Sequence, residues 1–521
     1  MLGDEGFLHL FAAKCRDTPK ALFARFEGSP ITYEALGRRA DSFARDLRKR
    51  MVMRGDRVAV MLRNSPDLLA VIFGLARAGV SWVPVNVQYR GPGLKYILEH
   101  CDPRMVIAEA DLVPTIRECE PGLEDAHFFV RGSTDGGASL EQLFGETGGF
   151  DEPLPTATDC FAICYTSGTT GSPKGVILSH AMMRFAGEAA ALVSDAHEGD
   201  VFLMWEPLYH IGGIQLLVLP LIRGISLAMI DRFSASRFLQ QTRDYGASHL
   251  HFLGGILQIL MKQPPTELDR AHGARIAWGG GCPKDIWRPF EERFGVTIRE
   301  CYGMTECSSF TTFNEGGTVG VVGRPLPWFS VELRDEQDRP VPAGGRGEIV
   351  VRTSAKNAFF TGYFRNPEAT AKVLRNGALY SGDLGEFDRE GNLIFLGRLT
   401  DSVRCKGENV SAWEVERVVA AYPAVEDCAV IGVAAEVGEQ DIKLFVKPKP
   451  GEILDPTVLS TWLADRLAPF QIPRYIAIVE EFERTPSQRI MKHRLSRDLG
   501  DCWDRLAVRT TPVAGARIKP A

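Results

Sequence analysis

Between Tyr165 and Gly175 the chain reads YTSGTTGSPKG, with three glycines, a run of small hydroxyl side chains and one lysine. Glycine lets backbone approach a ligand closely and reaches positive φ. Thr166, Ser167, Thr169, Thr170 and Ser172 each carry a hydroxyl donor, Gly168 and Gly171 expose backbone, and Lys174 adds a point charge. Such a loop suits a polyphosphate. The apolar, β-prone ICY before it implies that the loop leaves a strand. Pro173 before the lysine and Gly175 after it exclude the Gly-Lys-Ser/Thr arrangement of a Walker A loop. A plain Gly/Ser/Thr surface turn is the alternative, and the G-T-T-G core followed by P-K-G counts against it.

Four further stretches hold groups able to bind or react. GGGCP (279–283) places glycines where a flat ring can lie against backbone. YGMTE (302–306) offers an aromatic face and the carboxylate of Glu306. YSGDLG (380–385) holds Asp383, expected in a turn, where a carboxylate can accept from two vicinal hydroxyls. GRLTDSVRCKGENVSAWEVE (397–416) begins as a charged loop and enters a helix capped near Ser411, with Glu414 in the capping-box position. Taken singly, Asp383 reads as well as an Asx-turn, Glu306 as a solvated loop acid and Arg398 as a surface charge. Among ten histidines there is no H-E-x-x-H. His249 and His251 would share one strand face without a third ligand nearby, which favours core or pocket packing over metal.

The elements that position these groups follow from periodicity. RVAVML (57–62), SWVPVN (81–86) and RMVIAE (104–109) read as strands, with helical spacing in DLLAVIFGLARAG (67–79) and LKYILEH (94–100) between them. That βαβαβ rhythm implies a parallel sheet with helices on its faces. It returns after the glycine loop, with a strand at 226–230, a helix in SRFLQQTRDYG and a strand ARIAW running into GGGCP. From about Val331 the texture becomes β-rich. After residue 400 comes a short α+β pattern: WEVERVVAAY helix, DCAVIGVA and DIKLFVKP strands, VLSTWLADRLA helix and YIAIVE strand. The expectation is an α/β fold. A large N-terminal domain (1–400) of layered mixed and parallel sheets with helices carries a β-rich subdomain. A small mobile α+β C-terminal domain (401–500) and a disordered tail (501–521) follow.

The bulk properties of the 521 residues exclude several classes. Hydrophobic content of 45% and charged content of 24% are those of a soluble globular protein. A net charge of −6 argues against nucleic-acid or anionic-membrane partners. Eleven scattered cysteines without a C-x-x-C pair imply reduced thiols and a cytoplasmic location. The N-terminus lacks the basic start and apolar core of a signal peptide. IGGIQLLVLPLIRG (211–224), the most apolar run, is too short and interrupted to span a bilayer and reads as core.

In this order and spacing the motifs resemble the AMP-forming adenylating superfamily of acyl-CoA synthetases, standalone adenylation domains and luciferases, over about residues 10–498. The resemblance implies ATP, Mg²⁺ and coenzyme A as cofactors, and assigns roles. Thr166, Ser167, Gly168, Thr169, Thr170, Gly171 and Lys174 would cradle the β- and γ-phosphates. Gly280, Gly281, Cys282 and Pro283, with Tyr302 and Gly303, would flank adenine. Thr305 would contact the α-phosphate, Glu306 would hold Mg²⁺, and Asp383 and Arg398 would bind the ribose. Asp401 stands at the family's hinge, with Lys406 beside it, and Gly407 lines the pantetheine tunnel. EPLYHIGG (206–213) matches the segment at the acyl pocket, with His210 near the acyl group.

One departure stands near the C-terminus, where the family reads T-P-[ST]-G-K-[IL]-x-[KR] and the lysine enters the active site during adenylation. This chain reads ERTPSQRIMKHRL, with Arg489 in the lysine's place. Arginine keeps the charge as a planar fork rather than a compact ammonium. Either Arg489 does the lysine's work, or Lys492 swings in, or adenylation is weakened and the protein is a nucleotide-binding pseudoenzyme.

Several stretches, among them RNPEATAKVL (365–374) and KGENVSAWEVE (406–416), look closest to the crotonobetaine/carnitine–CoA ligase branch. The expected acyl pocket includes Trp205, Tyr209, His251, Phe252, Ile256 and Met304, mostly apolar with polar edges. Aromatic faces at Trp205 and Tyr209 would suit a quaternary ammonium, but the preferred reading is that they are core or line an ordinary aliphatic pocket. The expected partners are a small carboxylic acid and CoA, with self-association into a homodimer left open. No carrier-protein segment follows the small domain, so free CoA is the expected acceptor and a standalone enzyme loading a separate carrier the alternative.

Overall fold

Apolar runs four to six residues long, each followed by an amphipathic or buried helix, pair in parallel here as the rhythm requires. The computed structural model describes residues 4–507 except 121, 123, 125–126, 134–136, 146–147, 167–172, 254, 343, 406–407, 436–439, 468–470, 485–489 and 501. Arg57–Met61 lies between Ser81–Pro84 and Met105–Glu109, parallel to both. Helices Pro66–Arg77 and Gly91–Cys101 make the crossovers. The first helix starts where the Ser65 hydroxyl accepts from the Leu68 N–H at 3.2 Å and Pro66 fills the first turn. On one side this sheet continues through Cys160–Thr166 to the antiparallel strand Lys174–Ser179. Thr166 and Lys174, which flank the glycine loop, therefore face each other on paired strands at the sheet edge.

Among the described residues the second sheet has nine strands. Its parallel centre runs Thr297–Tyr302, Ile276–Gly280, His249–Leu253, Val201–Met204, Ser226–Met229 and Leu22–Phe26. The helix His180–Ser194 shares one continuous core with residues of both sheets. Burying Met182, Met183 and Phe185 there stabilises the fold by about 1.5–3 kcal/mol for each side chain. The run 211–224 forms short helices Ile211–Ile214 and Leu219–Arg223 inside that core. Among the described residues no helix is long and apolar enough to cross a membrane.

The β-rich part is an antiparallel sheet of Phe329–Arg334, Arg346–Thr353, Ala378–Phe387, Leu374–Arg375 and Leu393–Arg398. After it, helix Ala412–Ala420 packs with Val425–Ala434, Gln440–Pro448 and Tyr475–Ile478 around a separate apolar cluster. The architecture is the expected α/β fold, a large N-terminal region of layered sheets followed by a small α+β region. Trp503–Asp504, expected in the disordered tail, instead adds an antiparallel edge to Tyr475–Ile478.

Candidate active site

The hairpin brings Thr166 opposite Lys174, and the Thr166 hydroxyl donates to the Lys174 carbonyl at 3.4 Å. Ser167, Gly168, Thr169, Thr170 and Gly171 lie outside the described residues. The Lys174 ammonium sits 5.3 Å from the centre of the Tyr363 ring, within cation–π range. The Tyr363 hydroxyl donates to Glu306 Oε1 at 2.7 Å. The phosphate-type lysine and the candidate metal carboxylate thus meet through one tyrosine. Backbone fixes the arrangement: the Phe364 N–H donates to the Gly175 carbonyl at 2.7 Å and the Phe360 N–H to the Glu306 carbonyl at 3.0 Å. Burial, then the Glu306 charge, pushes the Tyr363 phenol well up, so it remains a donor. Sequence reading passed over Tyr363; its signal was the aromatic cluster FFTGYF immediately before the quoted RNPEAT stretch.

Thr305 and Glu306 open a single 3₁₀ turn, Thr305–Cys307, behind the strand Thr297–Tyr302. Thr305 is buried, and Met304 packs on the main core. Gly303 is required, because a Cβ there would stand 1.9 Å from the Ser309 carbonyl oxygen. Tyr302 is buried, its ring stacked on Phe395 at 5.7 Å and its hydroxyl donating to Asp383 Oδ2 at 2.7 Å. Arg398 Nε lies 2.9 Å from Asp383 Oδ1. Asp383 is not in the expected turn. It lies in the strand Ala378–Phe387, directly across from Arg398. The SG dipeptide that suggested a turn forms a bulge instead: Gly382 has φ +70° and the ladder shifts register there.

Gly280 ends its strand, and Gly281, Cys282 and Pro283 lead into the helix Lys284–Phe294. This loop is held from beneath by Glu300, a residue the sequence reading did not single out. Glu300 Oε1 accepts the N–H groups of Gly281 and Cys282, each at 3.0 Å, while Oε2 is buried without a partner among the described residues. Burial pushes the Glu300 carboxyl up to about 8, against the lowering effect of the two N–H bonds and of Lys284. The preceding Gly279 has φ +147°, and a Cβ there would stand 1.8 Å from the Phe252 carbonyl oxygen.

On the acyl side, His210 precedes the helix Ile211–Ile214, its ring edge-on to Tyr209 at 4.8 Å. His251 is buried and its Nδ1 is hydrogen-bonded to the buried carboxylate of Glu206, which the sequence reading did not propose as a site residue. Strand alternation turns Phe252 to the opposite face, into the cluster with Trp287, and Ile256 packs there too. Trp205 faces Phe233 at 5.4 Å, and its indole N–H donates to the His251 carbonyl at 2.9 Å. Of the two aromatic faces expected near the acyl group, Tyr209 is the one beside His210. His249 stacks on Phe202 at 4.1 Å, and burial pushes it down to about 4.

At the expected hinge, Asp401 ends the turn Leu399–Asp401 and lies 3.4 Å from Lys492 Nζ, which also lies 2.8 Å from Glu416. Lys492 is therefore occupied by two carboxylates in this conformation. Lys406, Gly407 and Arg489 lie outside the described residues.

Residues 11–364 match the family described as AMP-binding enzyme, and residues 414–489 match its C-terminal domain. The crotonobetaine/carnitine–CoA ligase of Escherichia coli O8 (strain IAI1) is 32% identical over 461 residues, 85% of this chain and 89% of that protein. The ligase of the same name from Salmonella paratyphi A (strain ATCC 9150 / SARB42) is 30% identical over 498 residues, 92% of this chain and 96% of that protein. ATP-bound MatB from Rhodopseudomonas palustris superposes with a TM-score of 0.84 at 28% identity, covering 95% of this chain and 98% of that one. The resemblance read from the motifs holds along the chain, which belongs to the AMP-binding enzyme family as an AMP-forming acyl-CoA synthetase.

Proposed function

We propose that the protein joins a small carboxylic acid to CoA in two half-reactions at this one site. A carboxylate is a poor electrophile. Attack of its oxygen on the ATP α-phosphorus gives an acyl-adenylate and pyrophosphate. The CoA sulfur then attacks the acyl carbonyl, and AMP leaves. The first step is mostly charge neutralisation and alignment. Asp383, set by Tyr302 and Arg398, accepts from the ribose hydroxyls; the Gly280–Pro283 backbone and Tyr302 take adenine; Lys174 and the glycine loop take the β- and γ-phosphates. Thr305 contacts the α-phosphate and His210 the acyl group.

Mg²⁺ fits this site. Glu306 supplies a hard oxygen fixed by Tyr363, and among the described residues no cluster of three or more metal-ligating side chains exists. One carboxylate plus substrate phosphates is the ligand set Mg²⁺ favours. Glu306 would hold the ion, which neutralises phosphate charge when bound. The single observation that carries the reading is the Lys174–Tyr363–Glu306 contact, which joins the phosphate hairpin to the carboxylate turn.

The two half-reactions need different groups, so residues 401–500 are proposed to act as a separate domain that rotates about Asp401, bringing Arg489 in for adenylation and Gly407 in for the thiol step. The eleven cysteines, none of them in a disulfide, support a reducing, cytoplasmic setting. The test is incubation with Mg·ATP, CoA and a panel of aliphatic, aromatic and carnitine-type acids, with AMP and acyl-CoA followed by mass spectrometry. Joint appearance of AMP and one acyl-CoA is expected without any carrier protein. ATP binding with no AMP from any acid, in both the native chain and Arg489→Lys, would overturn the reading. Activity gained only in Arg489→Lys would mark the arginine as an attenuated site.

A further inference from the structure

The acyl side holds a buried pair of titratable groups that the two half-reactions do not use. Glu206 and His251 are 1% and 2% exposed. Glu206 Oε1 bonds His251 Nδ1, and Glu206 Oε2 accepts the Trp205 N–H at 3.1 Å. Both carboxylate oxygens are therefore engaged as acceptors. The other ring nitrogen of His251, Nε2, is buried with no partner among the described residues. Leaving a buried polar atom unpaired costs about 1–3 kcal/mol, a standing cost to the fold that a ligand can relieve.

The pair stands beside the segment that carries His210, the residue proposed above to contact the acyl group. His251 Cε1 is 3.5 Å from the position a Cβ on Gly212 would take, two residues beyond His210. The ring packs on Trp278 at 4.4 Å, in the strand that ends at Gly280 beside the adenine loop. Asn64 locks the segment, donating to the Glu206 carbonyl at 2.9 Å and accepting from the Leu208 N–H at 3.3 Å. With Nδ1–H given to the carboxylate, Nε2 is the pole that the pair presents. It accepts when the ring is neutral and donates when the ring carries a second proton. A hydroxyl group satisfies either state, since it both donates and accepts.

We infer that the acid this ligase activates is a hydroxy acid whose chain hydroxyl is received by His251 Nε2, with Glu206 fixing the ring. The inference rests on the acid–CoA ligase reading above. A pocket with a buried hydrogen-bonding partner rejects the analogue that lacks the group far more strongly than an apolar pocket rejects a lost methylene.

The experiment compares kcat/KM for acids matched in carbon skeleton with and without a hydroxyl: 3-hydroxybutanoate and butanoate, 6-hydroxyhexanoate and hexanoate, 4-hydroxybenzoate and benzoate, carnitine and crotonobetaine. In the native chain one hydroxylated member is expected to lead its partner by at least about tenfold. In Glu206→Leu/His251→Phe, which removes both partners and so leaves no buried charge unpaired, that ratio falls toward one whatever the absolute rate. His251→Gln, which keeps a hydrogen-bonding side chain, retains part of it, and thermal unfolding of each variant reports folding. AMP formation with no hydroxyl preference in any pair, or a preference that survives the double substitution, overturns the inference and leaves the ligase reading standing. No AMP from any acid removes both.

Discussion

Glu300 makes a prediction whose size follows from its surroundings. Its carboxyl ordinarily titrates at 4.5, and burial raises it to about 8 in the fold. The folded state therefore holds a proton that the unfolded chain releases between those two values. Below pH 4.5 both states are protonated and the group contributes nothing to the pH dependence. As pH rises from 4.5 to about 8 the unfolded state binds fewer protons, so stability falls, by ~1.4 kcal/mol per unit and on the order of 4–5 kcal/mol in all. Above pH 8 both states are ionised and the loss stops growing. Glu300→Gln keeps an oxygen for the Gly281 and Cys282 N–H groups and cannot ionise. Urea unfolding followed by tryptophan fluorescence, at intervals from pH 4.5 to 9, should show the variant gaining on the native chain across that window and levelling beyond it. A stability difference between the two proteins that does not change with pH would refute the reasoning, and so would one that shifts in favour of the native chain as pH rises.

The other perturbations test the nucleotide end and the hinge. Tyr363→Phe removes the bond to Glu306 and should raise the KM for Mg·ATP about three- to tenfold, with a stability change of only about 1 kcal/mol; an unchanged KM would show that Glu306 needs no such support. Asp383→Asn takes away the charge facing Arg398 and should weaken AMP binding in calorimetry by at least tenfold, an effect that shrinks for 2′,3′-dideoxyadenosine monophosphate. Lys492→Met leaves Glu416 and Asp401 without their cation and should lower the melting of the C-terminal region by on the order of 2 kcal/mol. Pyrophosphate release falling far more than melting does would instead make Lys492 the adenylation cation.

What could be read from sequence was whatever lies close along the chain. The parallel strands 57–109, the strand that leads into the glycine loop, and the motif segments at 302–306 and 397–416 all show in local periodicity or turn chemistry. Contacts made across the fold did not show. Tyr363 meets Glu306 across 57 residues, and His251 meets Glu206 across 45. No local pattern marks such a pair. A lone glutamate before P-L-Y-H reads as surface charge until a buried imidazole is seen opposite it. Asp383 failed in another way: Ser381 and Gly382 carry a turn signature, yet the flanking apolar residues pair across both neighbouring strands and win, so the glycine is spent on a bulge. His251 and Phe252 were both expected at the acyl pocket, although period-two alternation sets neighbouring strand residues on opposite faces, and Phe252 packs in the cluster with Trp287.

The nucleoside end also carries a lead to the C-terminal region. Trp413 stands edge-on to Phe395 at 6.1 Å, Phe395 stacks on Tyr302, and Tyr302 holds Asp383. Asp383, the proposed ribose carboxylate, is thus linked through two aromatic contacts to the helix Ala412–Ala420. The Trp413–Phe395 contact is worth about 0.5–1.5 kcal/mol. Lys492 and Glu416 lie on the same side of Asp401, so their ion pair travels with any rotation about the hinge, and the Lys492–Asp401 pair is partly exposed and worth about 0–1 kcal/mol. Side-chain contacts this weak beside Asp401 suit the domain rotation proposed above. They also give the turn a consequence. In the proposed rotation Trp413 would leave, freeing one face of Phe395 and backing Tyr302 less firmly when AMP departs. Loosening of the base and ribose would then accompany the thiol step as a result of the same movement.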